Sequence, residues 1–214
     1  MTSKFDEQLE NLKVQIKEMG KDVENIIKTA TDGFIEGNMD SANETIENFP
    51  EIENKEREIE NLALKLLLKQ QPVASDFRTI SAILKIITDM KRIGTQAMDI
   101  SYLTRYLIEQ NEIKQFENIN KMSKESMKIV SDSIAAFINK DLELANSVIE
   151  YDDVIDKLFD DIKEELVKFI KDDSLNGKQA LDLIMIAKYF ERIGDHAVHI
   201  ARWTVFSITG THPE

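Results

Sequence analysis

Apolar residues recur at helical spacing along most of this chain of 214 residues. In the first segment they follow one another mainly at intervals of three or four positions: Phe5, Leu9, Leu12, Ile16, Met19, Val23, Ile26 and Ile27. This spacing places the apolar side chains along one face of an α-helix. The alternation of apolar and polar residues that is typical of a strand does not occur in the sequence. The pattern predicts an all-α fold.

Five polar stretches interrupt this pattern and divide the chain into six predicted helices. They cover residues 36–41, 69–76, 109–112, 139–144 and 172–178. Stretches of this composition favour turns and loops over helix. Most of the predicted helices are about thirty residues long, which corresponds to roughly 45 Å. Pro72 suits the first turn of the third helix, and Asp141 or Asn139 suits the cap of the fifth.

The second half of the chain repeats the first. The stretch FIEGNMDSANETIE from Phe34 matches FINKDLELANSVIE from Phe137, and KRIGTQAMDISYL from Lys91 matches ERIGDHAVHIARW from Glu191. A repeat of this kind indicates one structural unit that is present twice. The shared Arg-Ile-Gly is predicted to be structural, with its glycine allowing close approach of helices. We predict two tandem antiparallel three-helix bundles, over residues 1–110 and 111–214.

Composition narrows the classes of function. The formal net charge of −13 argues against nucleic acid as a partner, because binding to a phosphate backbone depends on Lys and Arg. The chain has no cysteine, so any metal must be held by carboxylates, His and water. The stretch MTSKFDEQLENLK lacks the apolar core of a signal peptide, and the apolar run LALKLLL is shorter than a membrane span. We expect a cytoplasmic protein.

Acidic residues form two pairs in the second half. Glu191 and Asp195 are four positions apart on the last predicted helix, so both carboxylates lie on one face. Asp152 and Asp156 have the same spacing on the preceding helix. Carboxylates that converge from two adjacent helices need cations between them. The sequence therefore predicts a metal site formed by Asp152, Asp156, Glu191 and Asp195, with Asp153 and His199 as less certain ligands.

The first half lacks most of these acids. At the aligned positions it has Phe49 and Pro50 in place of Asp152 and Asp153, and Lys91 and Thr95 in place of Glu191 and Asp195. If the two acidic pairs share one cation, we expect both to be absent together, because either pair alone binds a cation poorly. The competing interpretation is a solvated acidic face that Lys188 or Arg192 neutralises. His196 points away from Glu191 and is predicted to lie at the surface or at an interface.

Several stretches together resemble the PhoU family of phosphate-transport regulators. They are the duplicated three-helix halves, LLLKQQPVASDFRTISAILKI in the first half, and DDVID and YFERIGDHAVHIARW in the second. The resemblance covers essentially the whole chain. It implies an all-helical, cytoplasmic and often dimeric protein that regulates rather than catalyses. Such a protein restrains a high-affinity ABC phosphate transporter and relays phosphate sufficiency to a sensor histidine kinase.

The resemblance also implies metal. Members of the family carry E(D)-x-x-x-D motifs in both halves, which bind multinuclear iron clusters in some members and other metals in others. Glu191 and Asp195 match this motif, and Asp152 and Asp156 match its acidic partner helix. Fe, Zn, Mn, Mg and Ca are the candidate metals. The first half departs from the motif, so we do not expect a cluster there.

Three functions are compatible with these features. The first is a non-enzymatic regulator of phosphate uptake and phosphate-starvation signalling. It would form a homodimer, contact the transporter's ATPase subunit or the sensor histidine kinase, and reach the membrane only through these partners. The second is a hydrolase or oxidase in which carboxylate-bound metal activates water. The third is a metal-free helical scaffold with a solvated acidic face. We favour the regulator.

Overall fold

The computed structural model describes residues 4–69, 73–110 and 116–213. In these ranges the chain forms helices and no strand, which confirms the all-α fold. The helices are α1 (Lys4–Glu36), α2 (Met39–Lys69), α3 (Ala74–Glu109), α4 (Glu117–Asn139), α5 (Leu142–Glu150), α6 (Asp152–Lys171) and α7 (Gly177–Thr209). None of them combines the length and the apolar composition that a membrane span requires.

Two of the turns that fall within the polar stretches lead into capped helices. The Asp141 side chain accepts a hydrogen bond from the backbone N–H of Leu144 at 3.0 Å, which is the cap predicted for the fifth helix. Asn176 caps α7 in a reciprocal arrangement with Gln179. These bonds satisfy backbone N–H groups that have no partner within the helix. Pro72 lies outside the described residues.

A turn at Tyr151 divides the fifth predicted helix into α5 and α6. The backbone N–H of Val154 donates to the Tyr151 carbonyl, three residues back, at 3.1 Å. The first repeat has Pro50 inside α2 close to the aligned position, and proline has no backbone N–H to donate. Both copies therefore interrupt the helical hydrogen bonds at about this level. The sequence did not predict the break, because no Gly or Pro marks it in the second copy.

The helices pack in two groups, and the two groups share one core. α3 packs against α1 and α2, and α7 packs against α4, α5 and α6. The most extensive helix contact joins α3 to α7, the last helix of each repeat. Buried apolar residues from all seven helices belong to one hydrophobic cluster. The core thus continues from one repeat into the other, while the boundary between residues 110 and 111 stays a prediction.

Candidate metal centre

The four predicted ligands lie on two helices that pack together. Asp152 and Asp156 are near the start of α6, and Glu191 and Asp195 are near the middle of α7. Asp152, Glu191 and Asp195 are half-buried. Asp156 is exposed, as is Asp153. The acids therefore come from adjacent elements but differ in their contact with solvent.

Negative charge accumulates between these two helices. Burial raises the pKa of Asp152 above its ordinary value, and the carboxylates of Asp156 and Asp195 raise it further. Burial also raises the pKa of Asp195, as do the carboxylates of Glu191 and Asp156. The charges of the two acidic pairs thus act on one another from α6 to α7. Such repulsion suits a bound cation, and ligation by these residues stays a prediction.

Glu191 has a positive partner on its own helix. Nζ of Lys188 donates a hydrogen bond to Oε1 of Glu191 at 2.5 Å, and the Glu191 side chain is only 13% exposed. Lys188 also acts to lower the pKa of Asp195, but burial and the nearby carboxylates outweigh it. Neutralisation by Lys188 therefore applies to Glu191 itself. It leaves Asp152 and Asp195 with raised pKa values.

The first repeat fills the aligned positions with packing and an ion pair. Phe49 is buried, and Pro50 lies within α2. Nζ of Lys91 on α3 donates a hydrogen bond to Oε2 of Glu56 on α2 at 2.8 Å. The Thr95 hydroxyl donates to the Lys91 carbonyl of its own helix at 3.1 Å. A buried aromatic ring, an exposed proline, a cation and a hydroxyl thus stand where the second repeat has the carboxylates of Asp152, Asp153, Glu191 and Asp195.

Another group of potential metal ligands forms between the two repeats. Oδ1 of Asp89 on α3 lies 3.0 Å from Nδ1 of His196 on α7. The same oxygen lies 3.6 Å from Nδ1 of His199. The ligand atoms of these three residues all lie within 4.8 Å of one another. In the described part of the chain, no other set of three or more His, Asp or Glu residues does so. The carboxylates on α6 and α7 are not drawn into such a group.

One hydrogen bond and the attraction of opposite charges hold this group together. Burial acts to raise the pKa of Asp89, but the hydrogen bond with His196 and the closeness of His199 outweigh burial, so this pKa is lowered. The closeness of the Asp89 carboxylate in turn raises the pKa of His199, against the opposing effect of burial. Asp195 also acts to raise the His199 pKa, and Arg202 acts to lower it. Asp89 is therefore held as an anion that faces two imidazoles.

Sequence reasoning missed Asp89 as a member of this group. It belongs to the first repeat, and the aligned residue of the second is Tyr189, which is not an acid. His196 lies at the interface between α3 and α7, one of the two places predicted for it, and is 13% exposed. His199, predicted to assist the carboxylates, instead faces Asp89. The available signal was the three-residue spacing of His196 and His199, which places both on one helix face.

Comparison with known proteins identifies the family. The family model for the PhoU domain matches this chain twice, over residues 16–104 and over residues 119–204. The chain belongs to the PhoU family. The two matches coincide with the internal repeat, and they confirm the resemblance seen in the sequence.

PhoU proteins from several organisms are similar to the chain over most of its length. The phosphate-specific transport system accessory protein PhoU homolog of Aquifex aeolicus is 35% identical, over 88% of this chain and 86% of its own. The homolog of Clostridium acetobutylicum is 31% identical, over 98% and 97%. The crystal structure of PhoU from Pseudomonas aeruginosa has a TM-score of 0.93 at 29% identity, over 97% of this chain and 100% of that one. PhoU from Streptococcus pneumoniae, at 22% identity, shares the fold with a TM-score of 0.90, over 99% and 100%.

Proposed function

We propose that this protein regulates phosphate uptake and phosphate-starvation signalling, and that it is not an enzyme. The observation that carries the proposal is the double match to the PhoU domain, with a fold like that of PhoU from P. aeruginosa. Relatives at 35% and 31% identity are named accessory proteins of a phosphate-specific transport system. A fold alone does not define a function. Here the similarity extends to the sequence over most of both chains, which supports a shared role.

The proposed regulator acts through protein contacts in the cytoplasm. Its partners are the ATPase subunit of the phosphate ABC transporter, the sensor histidine kinase, or both. It is a homodimer, and it reaches the membrane only through these partners. The net charge of −13 favours a basic surface on the partner, because complementary charge steers association and suppresses wrong partners.

Metal in the second repeat is part of the proposal. A bound cation would supply positive charge that offsets the repulsion between α6 and α7 and would link these helices. The raised pKa values of Asp152 and Asp195 support such a site. An iron cluster and single ions of Fe, Zn, Mn, Mg or Ca are the candidates. The proposed ligands are Asp152, Asp156, Glu191 and Asp195, with Asp153 as an additional candidate. His199 faces Asp89 instead.

Affinity capture tests the partner assignment. The full chain is immobilised and mixed with the phosphate transporter's ATPase subunit and, separately, with the cytoplasmic part of the sensor kinase, at low and at high phosphate. We expect retention of at least one partner, and a difference between the two phosphate levels. The ATPase subunit of an unrelated ABC transporter is the control. Failure to retain either partner at any phosphate level would contradict the proposal.

Turnover assays test the enzymatic alternative. The full chain is incubated with a phosphate ester and added Mn²⁺ or Fe²⁺, beside the Glu191→Ala variant. A regulator should give no turnover above that of the free metal. Turnover that Glu191→Ala abolishes would instead support a hydrolase in which the carboxylates hold a catalytic metal.

A further inference from the structure

We propose that Asp89, His196 and His199 form a second cation site, which takes Zn²⁺ or a similar divalent transition-metal ion and joins the two repeats. The site lies between α3 and α7, the helices with the most extensive contact in the molecule. It uses Asp89 of the first repeat and two imidazoles of the second. The inference does not rest on the role in phosphate transport. None of its three ligands is among the carboxylates of Asp152, Asp156, Glu191 and Asp195.

The distances from the Asp89 carboxylate to the two imidazoles suit a tetrahedral ion. Bonds of about 2.0–2.1 Å to nitrogen and oxygen place neighbouring ligand atoms of a tetrahedral zinc site about 3.3 Å apart. Oδ1 of Asp89 is 3.0 Å from Nδ1 of His196 and 3.6 Å from Nδ1 of His199. These two separations bracket the tetrahedral value. All three ligand atoms lie within 4.8 Å of one another, so side-chain movements of up to about 1.5 Å would complete the tetrahedral arrangement.

The chemistry of the ligands selects the class of metal. Two imidazoles and one carboxylate suit zinc and neighbouring transition metals, whereas Mg²⁺ and Ca²⁺ prefer an all-oxygen shell. The four carboxylates between α6 and α7 offer only oxygen ligands, so they should bind Zn²⁺ more weakly than the imidazoles do. Variants of each set of ligands can therefore tell the two sites apart. Binding at the imidazoles should also release protons, because a ligating His must be neutral.

Two of the three ligands are largely buried and the third is exposed, which gives an ion a path into the site. The Asp89 side chain is 9% exposed and that of His196 is 13% exposed, so packing fixes their positions. The His199 side chain is 49% exposed and gives access from solvent. The two imidazole rings meet edge to face, with centroids 5.9 Å apart. Water can complete the coordination on the exposed side, as it does where a zinc ion has three protein ligands.

Nearby charges act in opposite directions. Asp195 on α7 is close enough to act on the pKa of His199, and its negative charge favours a cation. Arg202 acts on His199 in the opposite sense. The competing, metal-free interpretation is that Asp89 forms only an ion pair with protonated histidine. The two interpretations differ in zinc binding, so a titration with zinc separates them.

A calorimetric titration of the metal-stripped full chain with zinc tests the site. We expect wild type to bind one Zn²⁺ equivalent whose affinity falls at least about tenfold in Asp89→Asn and in His199→Asn. Asp99→Asn on α3 and His212→Ala near the C-terminus are matched controls and should retain this equivalent. Glu191→Ala/Asp195→Ala should retain it as well. Loss in that double variant, with retention in Asp89→Asn, would overturn the proposal in favour of the carboxylates.

A second readout measures zinc binding on the wild-type protein itself, and variants serve only to assign its signals. The chain has three histidines, so its imidazole signals in an NMR spectrum are few enough to assign with His199→Asn and His212→Ala. Zinc should shift or broaden the signals of His196 and His199 and leave those of His212 unchanged. No zinc binding by wild type, or equal effects on all three imidazoles, would overturn the proposal.

Discussion

Ile155 of α6 packs directly onto Gly194 of α7: a Cβ atom added to this glycine would lie 3.2 Å from the Ile155 Cγ2 atom. The first repeat has the same contact, with Cδ1 of Ile52 at 3.2 Å from a Cβ added to Gly94. Two ring atoms of Phe49 also lie at 3.3 Å from that position. The glycine of Arg-Ile-Gly thus permits close helix approach in both repeats, as predicted, and Gly94 is the more enclosed of the two.

Alanine substitutions should separate helix propensity from this packing. Replacing a helical glycine with alanine gains up to about 1 kcal/mol where space allows. Nothing lies within 4 Å of a Cβ added to Gly177, so Gly177→Ala should raise the free energy of unfolding. Gly194→Ala should be less stable than Gly177→Ala, because Ile155 must shift. Gly94→Ala should be the least stable, because the Phe49 ring is rigid. Urea unfolding measures this order, and equal stability of the three variants would contradict it.

The ion pair of the first repeat should contribute measurably to stability. Lys91 and Glu56 join α3 to α2, and their side chains are 32% and 13% exposed. Lys91→Met should lower the free energy of unfolding by about 1–2 kcal/mol, because it leaves a largely buried carboxylate without its partner. Lys13→Met, in an exposed pair with Glu10, is the control and should cost less than about 0.5 kcal/mol. Similar losses in both variants would show that the first ion pair adds nothing beyond an exposed one.

Asp99 should make stability depend on pH. Burial raises the pKa of Asp99 above its ordinary 3.8, although the charge of Arg192 opposes the effect. Because the raised pKa belongs to the folded state, the stabilising contribution of the protonated group is complete below its ordinary pKa and is lost as pH rises through the folded pKa. Asp99→Asn should therefore be more stable than wild type at about pH 7, with a difference that shrinks towards about pH 4. Urea unfolding across this range measures it, with the exposed Asp161→Asn as control. A constant difference would contradict the prediction.

Helices and repeats could be predicted because their signals are local in the sequence. The spacing of apolar residues defines each helix, and short side chains such as that of Asp141 mark where one begins. The division at Tyr151 escaped prediction because a single changed backbone hydrogen bond leaves apolar periodicity intact. The location of that turn depends on how α5 and α6 pack against α7, which no short stretch of sequence records.

The two candidate metal sites also differ in whether the sequence could predict them. Asp152 and Asp195 could be singled out because i,i+4 pairs on adjacent helices and their joint loss in the first repeat are visible in the sequence. The contact between Asp89 and His196 could not, because it joins helices from different repeats across 107 positions. It depends on the register in which α3 packs against α7. Only the three-dimensional structure shows this register.

Metal content should depend on the carboxylates between α6 and α7. We expect wild type, purified without chelator or incubated with manganese or iron, to carry manganese or iron that Glu191→Ala/Asp195→Ala loses. Asp160→Ala/Glu164→Ala is the matched control, because these acids have the same four-residue spacing on an exposed part of α6. It should retain the metal. Elemental analysis per chain gives the comparison.

The single variants should not be equivalent, because Lys188 already pairs with Glu191 at 2.5 Å. Asp195→Ala should lose more manganese or iron than Glu191→Ala, since the Asp195 carboxylate keeps a raised pKa despite Lys188. A cation offsets the repulsion of Asp195 directly, whereas at Glu191 it must compete with the lysine. Equal metal content in wild type and both single variants would contradict the site. If none of them binds metal, these acids form a solvated face, and the result supports a metal-free contact between α6 and α7.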